Sequence, residues 1–118
     1  MMTIETKRTF GATVRRERER RQLGLRQFAK MVGVSPTYQS KIERDELPAP
    51  AEDKVVRMAE LLDLDRDELL ALANRVASDV TAIIKRRPRE LASFLRTVNG
   101  LSPSEFARVT EQAKKIRE

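Results

Sequence analysis

The chain has 118 residues, 40% of them hydrophobic and 36% charged, with 24 Lys+Arg against 18 Asp+Glu and a formal charge of +6. That length allows one compact domain, or one small domain with a helical appendage. With no cysteine and no histidine, the chain has no disulfides, no thiol, Ser-His or Cys-His catalysis, no zinc fingers and almost no transition-metal chemistry. No apolar run approaches the ~18 residues of a membrane-spanning helix. Residues 1–8 lack the apolar stretch of a secretory signal, so a cytoplasmic protein is expected. The pI of about 10.2 fits either a polyanionic partner or a plain solvated charged surface.

Glycine (4) and proline (5) are scarce, and no segment alternates apolar and polar for long, so the chain reads as all-α. The first helix is expected from Phe10 to Arg21, with Val14 and the stems of Arg18 and Arg21 inward and the Leu23-Gly24 step as its end. A short helix follows over Leu25 to Val32, with Phe28, Ala29 and Val32 on one face. After the Gly33-Val34-Ser35 break, Ser35 suits an N-cap and Pro36 a first helical position, opening a third helix to Arg44. Pro48 and Pro50 hold the next segment as a loop. A fourth helix over Ala51 to Leu62 turns Val55, Met58, Ala59 and Leu62 inward. A fifth, over Arg66 to Ala73, is capped by Asp65 with Glu68 three residues on, and buries Leu69, Leu70 and Ala73.

Three more helices are expected beyond Asn74. One spans Ala77 to Arg86 and carries Val80, Ile83 and Ile84. The next opens at Pro88, carries Leu91, Phe94, Leu95 and Val98, and ends at Asn99-Gly100. The last starts at the Ser102-Pro103-Ser104-Glu105 capping box and carries Phe106, Val109, Ala113 and Ile116.

Charge is uneven along the chain. Residues 1–48 hold 11 Lys/Arg against 6 Asp/Glu, residues 49–74 hold 3 against 7, and residues 75–118 hold 10 against 5. The first block is the candidate polyanion surface. Its dense run Arg15, Arg16, Arg18, Arg20 and Arg21 either lines phosphates or is a helix face balanced by Glu17 and Glu19. Asp63, Asp65, Asp67 and Glu68 lack the glycine and terminal glutamate of a calcium loop, and read as helix-capping acids.

Residues 25–44, a short helix, a compact break and a second helix, carry the chemistry. Two short helices at a steep angle can lay the second into a major groove about 12 Å wide. Gly33 allows the tight break, Val34 plugs the angle, and Ser35 caps a helix whose partly positive N-terminus suits phosphate.

This run, Leu25-Arg26-Gln27-Phe28-Ala29-Lys30-Met31-Val32-Gly33-Val34-Ser35-Pro36-Thr37-Tyr38-Gln39-Ser40-Lys41-Ile42-Glu43-Arg44, resembles the Xre, or Cro/lambda-repressor-like, helix-turn-helix regulators. The likeness extends through Pro50–Asp53, Met58–Leu62 and Asp67–Leu70, and covers residues 9–74. It implies a five-helix DNA-binding domain over 9–74, after a flexible stretch 1–8 and before a helical dimerisation region 75–118. The implied DNA contacts are Arg26, Gln27, Pro36, Thr37, Tyr38, Gln39, Lys41 and Arg44. Pro36 offers apolar contact only, Tyr38 a phosphate or a base, and Lys41 a guanine or a phosphate. The family's Ser-Gln at the start of the second helix is missing, which leaves Arg26 as the substitute. A first-helix arginine commonly pairs with the third-helix glutamate, here Arg18 with Glu43. Gln39 stands where the family has an inward aliphatic, so it either reaches DNA or caps a backbone group. Asp45 replaces a common glycine and tolerates a left-handed backbone.

The last 44 residues hold too few helices for a self-sufficient core. Their apolar set is nevertheless large: Ile83, Ile84, Leu91, Phe94, Leu95, Phe106, Val109 and Ile116. It packs either on the first domain or, as the family's twofold dimers favour, on a second copy. Domain order and the character of Leu91 to Leu101 also resemble DdrO-like and CapH-like repressors inactivated by a partner metallopeptidase of the IrrE/ImmA type. The expected function is a dimeric repressor on an inverted-repeat operator, with no cofactor and no catalysis. The alternatives are an antitoxin-like autoregulator bound to a toxin, or a protein-interaction module without DNA binding.

Overall fold

The computed structural model describes residues 8–118; the expected flexible stretch 1–8 lies, Arg8 apart, outside the described residues. The described chain is helical, and it divides into two units, Met1–Ala77 and Ser78–Glu118.

The first unit holds α1 (Phe10–Arg20), α2 (Leu25–Val32), α3 (Pro36–Glu43), α4 (Glu52–Leu62) and α5 (Arg66–Leu72). Each helix contributes its 3.6-period apolar face to one core of Phe10, Val14, Phe28, Val32, Ile42, Val55, Met58, Ala59, Leu62, Leu69 and Leu70. Local chemistry sets the helix starts. Thr9, Ser35 and Asp65 each accept a hydrogen bond from a backbone N–H three residues on, at 3.0, 3.1 and 3.0 Å.

Left-handed residues reverse the chain after all five helices: Gln22 (φ 57°), Gly33 (φ 94°), Asp45 (φ 60°), Asp63 (φ 54°) and Asn74 (φ 59°). One of these ends differs from expectation. Gln22, not the Leu23-Gly24 step, reverses α1, with the Leu23 N–H returning to Arg18 O at 3.1 Å. Gly24 is instead the extended N-cap of α2. Ala77, expected to head the sixth helix, belongs to the first unit's core, and α6 starts at Ser78.

The second unit holds α6 (Ser78–Arg86), α7 (Pro88–Val98) and α8 (Pro103–Arg117). Gly100 (φ 94°) ends α7. The box at Ser102 is reciprocal, its N–H donating to Glu105 Oε1 at 2.8 Å and its hydroxyl accepting from the Glu105 N–H at 3.2 Å. Within this unit only Val98 is buried. Ile83, Phe94, Leu95 and Phe106 are exposed by 46, 46, 51 and 44%. Among the described residues no helix is long and apolar enough to cross a membrane.

Candidate nucleic-acid interface

The turn between α2 and α3 is built from two backbone hydrogen bonds and one cap. The N–H groups of Gly33 and Val34 both return to Ala29 O, at 2.8 and 2.9 Å. Gly33 then takes the left-handed conformation that L side chains resist. Val34 is half-buried against the core, and Ser35 caps α3 with Pro36 in its first position. The core residues Phe28, Ala29 and Val32 of α2 and Ile42 of α3 hold the two helices at this angle.

The underside of α3 is fixed by a buried polar network. Arg18 of α1 forks onto Glu43, with Nε donating to Oε2 at 2.9 Å and Nη2 to Oε1 at 2.8 Å. Its third nitrogen, Nη1, donates to Leu23 O at 2.8 Å, tying in the α1–α2 turn. Both side chains are buried, and the hydrogen bond to Glu43 raises the Arg18 pKa above its already high ordinary value. Gln39 completes the network, its Nε2 donating to Glu43 Oε2 at 2.9 Å. Its Oε1 is buried with no partner.

Gln39 has no exposed surface. It therefore leaves the set of DNA contacts: a side chain enclosed between α1 and α3 cannot reach a base edge. Nor does it cap a backbone group, because its amide is spent on Glu43. The other seven expected residues are on or near the surface. Arg26, Gln27, Thr37, Lys41 and Arg44 are exposed, while Pro36 and Tyr38 are half-buried. Thr37 and Lys41, four apart, share one face of α3. Arg44 is partly engaged within the chain, with Nε 3.3 Å from Glu46 Oε2.

The arginine run of α1 is taken up internally. Arg21 Nη1 meets Glu17 Oε1 at 2.7 Å, Arg15 Nε meets Glu19 Oε2 at 3.3 Å, and Arg16 and Arg20 lie 3.9 and 3.6 Å from Glu17. The Glu17 carboxyl is held below its ordinary range chiefly by the Arg21 hydrogen bond. Asp65 caps α5, and among the described residues no cluster of acids could hold a metal ion.

Sequence reasoning missed Gly11. A Cβ there would collide with Ile42 O and lie 2.6 Å from Asp45 Oδ1 and 3.0 Å from Glu43 O. The start of α1 thus lies directly against the end of α3, and Thr9 Oγ1 donates to Asp45 Oδ2 at 2.9 Å across the same junction. A glycine inside a predicted helix was the available signal.

A family model of the helix-turn-helix domain matches residues 9–72, more than half the chain. The chain belongs to the helix-turn-helix domain family. Its first unit has the Cro/lambda-repressor-type fold. Solved structures similar to it include Bacillus subtilis SinR, the master regulator for biofilm formation, in complex with DNA. That likeness has 26% identity and a TM-score of 0.48, and covers 52% of this chain and 98% of that one. The P22 c2 repressor in complex with a synthetic operator is similar at 27% identity and a TM-score of 0.49, over 53% of this chain and 94% of that one. A SinR–SinI complex is similar in fold at 19% identity and a TM-score of 0.50, over 92% of this chain and 98% of that one. None of the curated proteins matches the chain.

Within this family the second helix of the motif is the one that enters the major groove. In the present chain that helix is α3, and its outward residues are Thr37 and Lys41, flanked by Pro36, Tyr38 and Arg44. Arg26 and Gln27 stand exposed in the first turn of α2.

Proposed function

We propose that the protein is a cytoplasmic, dimeric, sequence-specific transcriptional repressor that binds an inverted-repeat operator by inserting α3 of each copy into the major groove. The carrying observation is the contrast between the two sides of α3. Its inner side is locked by the buried Arg18–Glu43 fork and Ile42, while Thr37 and Lys41 stand free on its outer side. A rigid, outward polar face on a short capped helix is suited to reading base edges, because readout requires donors held at fixed positions. The exposed apolar residues of the second unit support the dimer. Phe94, Leu95 and Phe106 are left about half exposed, and a twofold partner presenting the same residues would bury them.

Footprinting on the DNA upstream of the protein's own gene tests this reading. A protected inverted repeat is expected. Lys41→Ala should weaken that site by about 1–3 kcal/mol if Lys41 meets a guanine edge. If Lys41 meets a phosphate, all sequences should weaken alike and the salt dependence should fall. Unchanged affinity for every duplex would exclude α3 as the reading helix.

A further inference from the structure

The positive charge of this chain is not where its arginine-rich first helix suggests. In α1 the arginines are paired with Glu17, Glu19 and Glu43. Residues 8–77 carry fourteen Lys/Arg against twelve Asp/Glu, whereas residues 78–118 carry nine against five. The excess therefore lies mainly in the second unit, and it concentrates at the α6–α7 junction, in Lys85, Arg86, Arg87 and Arg89, with Arg96 two turns further on. Arg87 pairs with Glu90 at 3.1 Å. Among the described residues the other four form no ion pair, and all four are exposed.

Their placement is ordered. At 100° per residue, Arg89 and Arg96 fall on one face of α7 and Leu91, Phe94, Leu95 and Val98 on the opposite face. On α6, Lys85 and Arg86 lie off the side that carries Val80, Ile83 and Ile84. Burying the apolar side in a dimer would leave this cationic side in solvent.

We propose that the basic side of α6 and α7 lies against the phosphate backbone of the duplex that α3 reads, as a second, sequence-independent contact. This rests on the reading of the first unit as DNA-binding. Charge complementarity selects the partner: a duplex carries one charge per ~1.7 Å, and arginine matches phosphate with two parallel hydrogen bonds. Tethering adds to it. The second unit follows the first without an intervening domain, so once α3 is seated these cations are held at high effective concentration beside the duplex. The helix-turn-helix unit has few unpaired cations of its own on α2 and α3, chiefly Arg26, Lys30 and Lys41, and a second contact would add to its counterion release.

The test is fluorescence anisotropy of the full chain on a labelled mixed-sequence duplex of about 40 bp, across a potassium chloride series, because non-specific binding is almost wholly electrostatic. The variant Lys85→Ala/Arg86→Ala/Arg89→Ala/Arg96→Ala should lower the slope of log affinity against log salt by about 2–4 per chain, at about 0.9 for each phosphate no longer neutralised. The charge-preserving Arg86→Lys/Arg89→Lys/Arg96→Lys should keep the wild-type slope. Sedimentation should show the alanine variant associating as wild type does, since its positions avoid the apolar side. An unchanged slope in the alanine variant, with the duplex still bound as tightly as by wild type, overturns the second contact and leaves the first unit's role standing. Anionic phosphatidylserine vesicles retained by wild type and lost by that same variant would then assign the face to a membrane. No binding of the duplex by wild type overturns both readings.

Discussion

Glu43 and Gln39 share one buried network, yet they should respond very differently to substitution. Glu43→Ala leaves the Arg18 guanidinium buried and uncompensated between α1 and α3, and should cost about 3–5 kcal/mol in urea unfolding. Gln39→Leu loses one hydrogen bond to a charged partner, worth about 1.5–3 kcal/mol, but also removes a buried oxygen without a partner, which costs about 1–3. The two effects oppose each other, so Gln39→Leu should stay within about 1 kcal/mol of wild type. A large loss from Gln39→Leu would mean that its oxygen is satisfied in solution. Gly11 belongs to the same junction. Replacing glycine by alanine ordinarily favours a helix by up to about 1 kcal/mol. Here the new methyl meets the backbone of Ile42, so Gly11→Ala should instead destabilise by about 1–3 kcal/mol. Stabilisation by Gly11→Ala would refute this close approach of α1 to α3.

At the scale of the element, α1 shows how a charged helix face is kept in order. Glu17 sits among Arg16, Arg20 and Arg21, and its lowered pKa comes first from the Arg21 hydrogen bond, with the nearby guanidinium charges adding to it. A carboxyl depressed in the folded state stabilises above its unfolded pKa, and that contribution is lost as pH falls through the folded value. The pair should thus persist through neutral and mildly acidic pH. By carboxyl NMR titration, Glu17 should have a midpoint below the ordinary glutamate range, and Arg21→Ala should move it upward. A midpoint unaffected by Arg21→Ala would sink this assignment. Elements of this kind were legible in the sequence because their causes are local. Ser35, Asp65 and Ser102 cap the helices they precede, and apolar spacing marked the buried faces of α2 and α4. The Arg18–Glu43 pair was legible through the family resemblance alone, since 25 residues separate its partners. Gly11, Gln39 and Ala77 were not legible. Their environments come from helices distant in the chain, and a glycine, a glutamine or an alanine read alone does not say which neighbour encloses it.

For the whole molecule, α6 to α8 cannot be stable on their own terms. One buried residue, Val98, is too little core for three helices, while Ile83, Phe94, Leu95 and Phe106 stand open. Covering each would contribute about 1.5–3 kcal/mol. If a second copy provides the cover, Phe94→Glu or Leu95→Glu should yield monomers in sedimentation, with the first unit still folded. A dimer retained by both variants would place the interface elsewhere. The twofold dimer then dictates the operator. Two α3 helices entering major grooves on one side of the duplex require half-sites about one helical turn apart, roughly 34–36 Å or 10–10.5 bp between centres, or a near multiple. Inserting about 5 bp, half a turn, carries one half-site to the far side of the helix. The copies could then engage both only by twisting DNA or parting from each other. A gel shift should therefore show the lengthened site bound no better than an isolated half-site. Undiminished affinity for it would mean that the two reading heads are tethered flexibly or act alone.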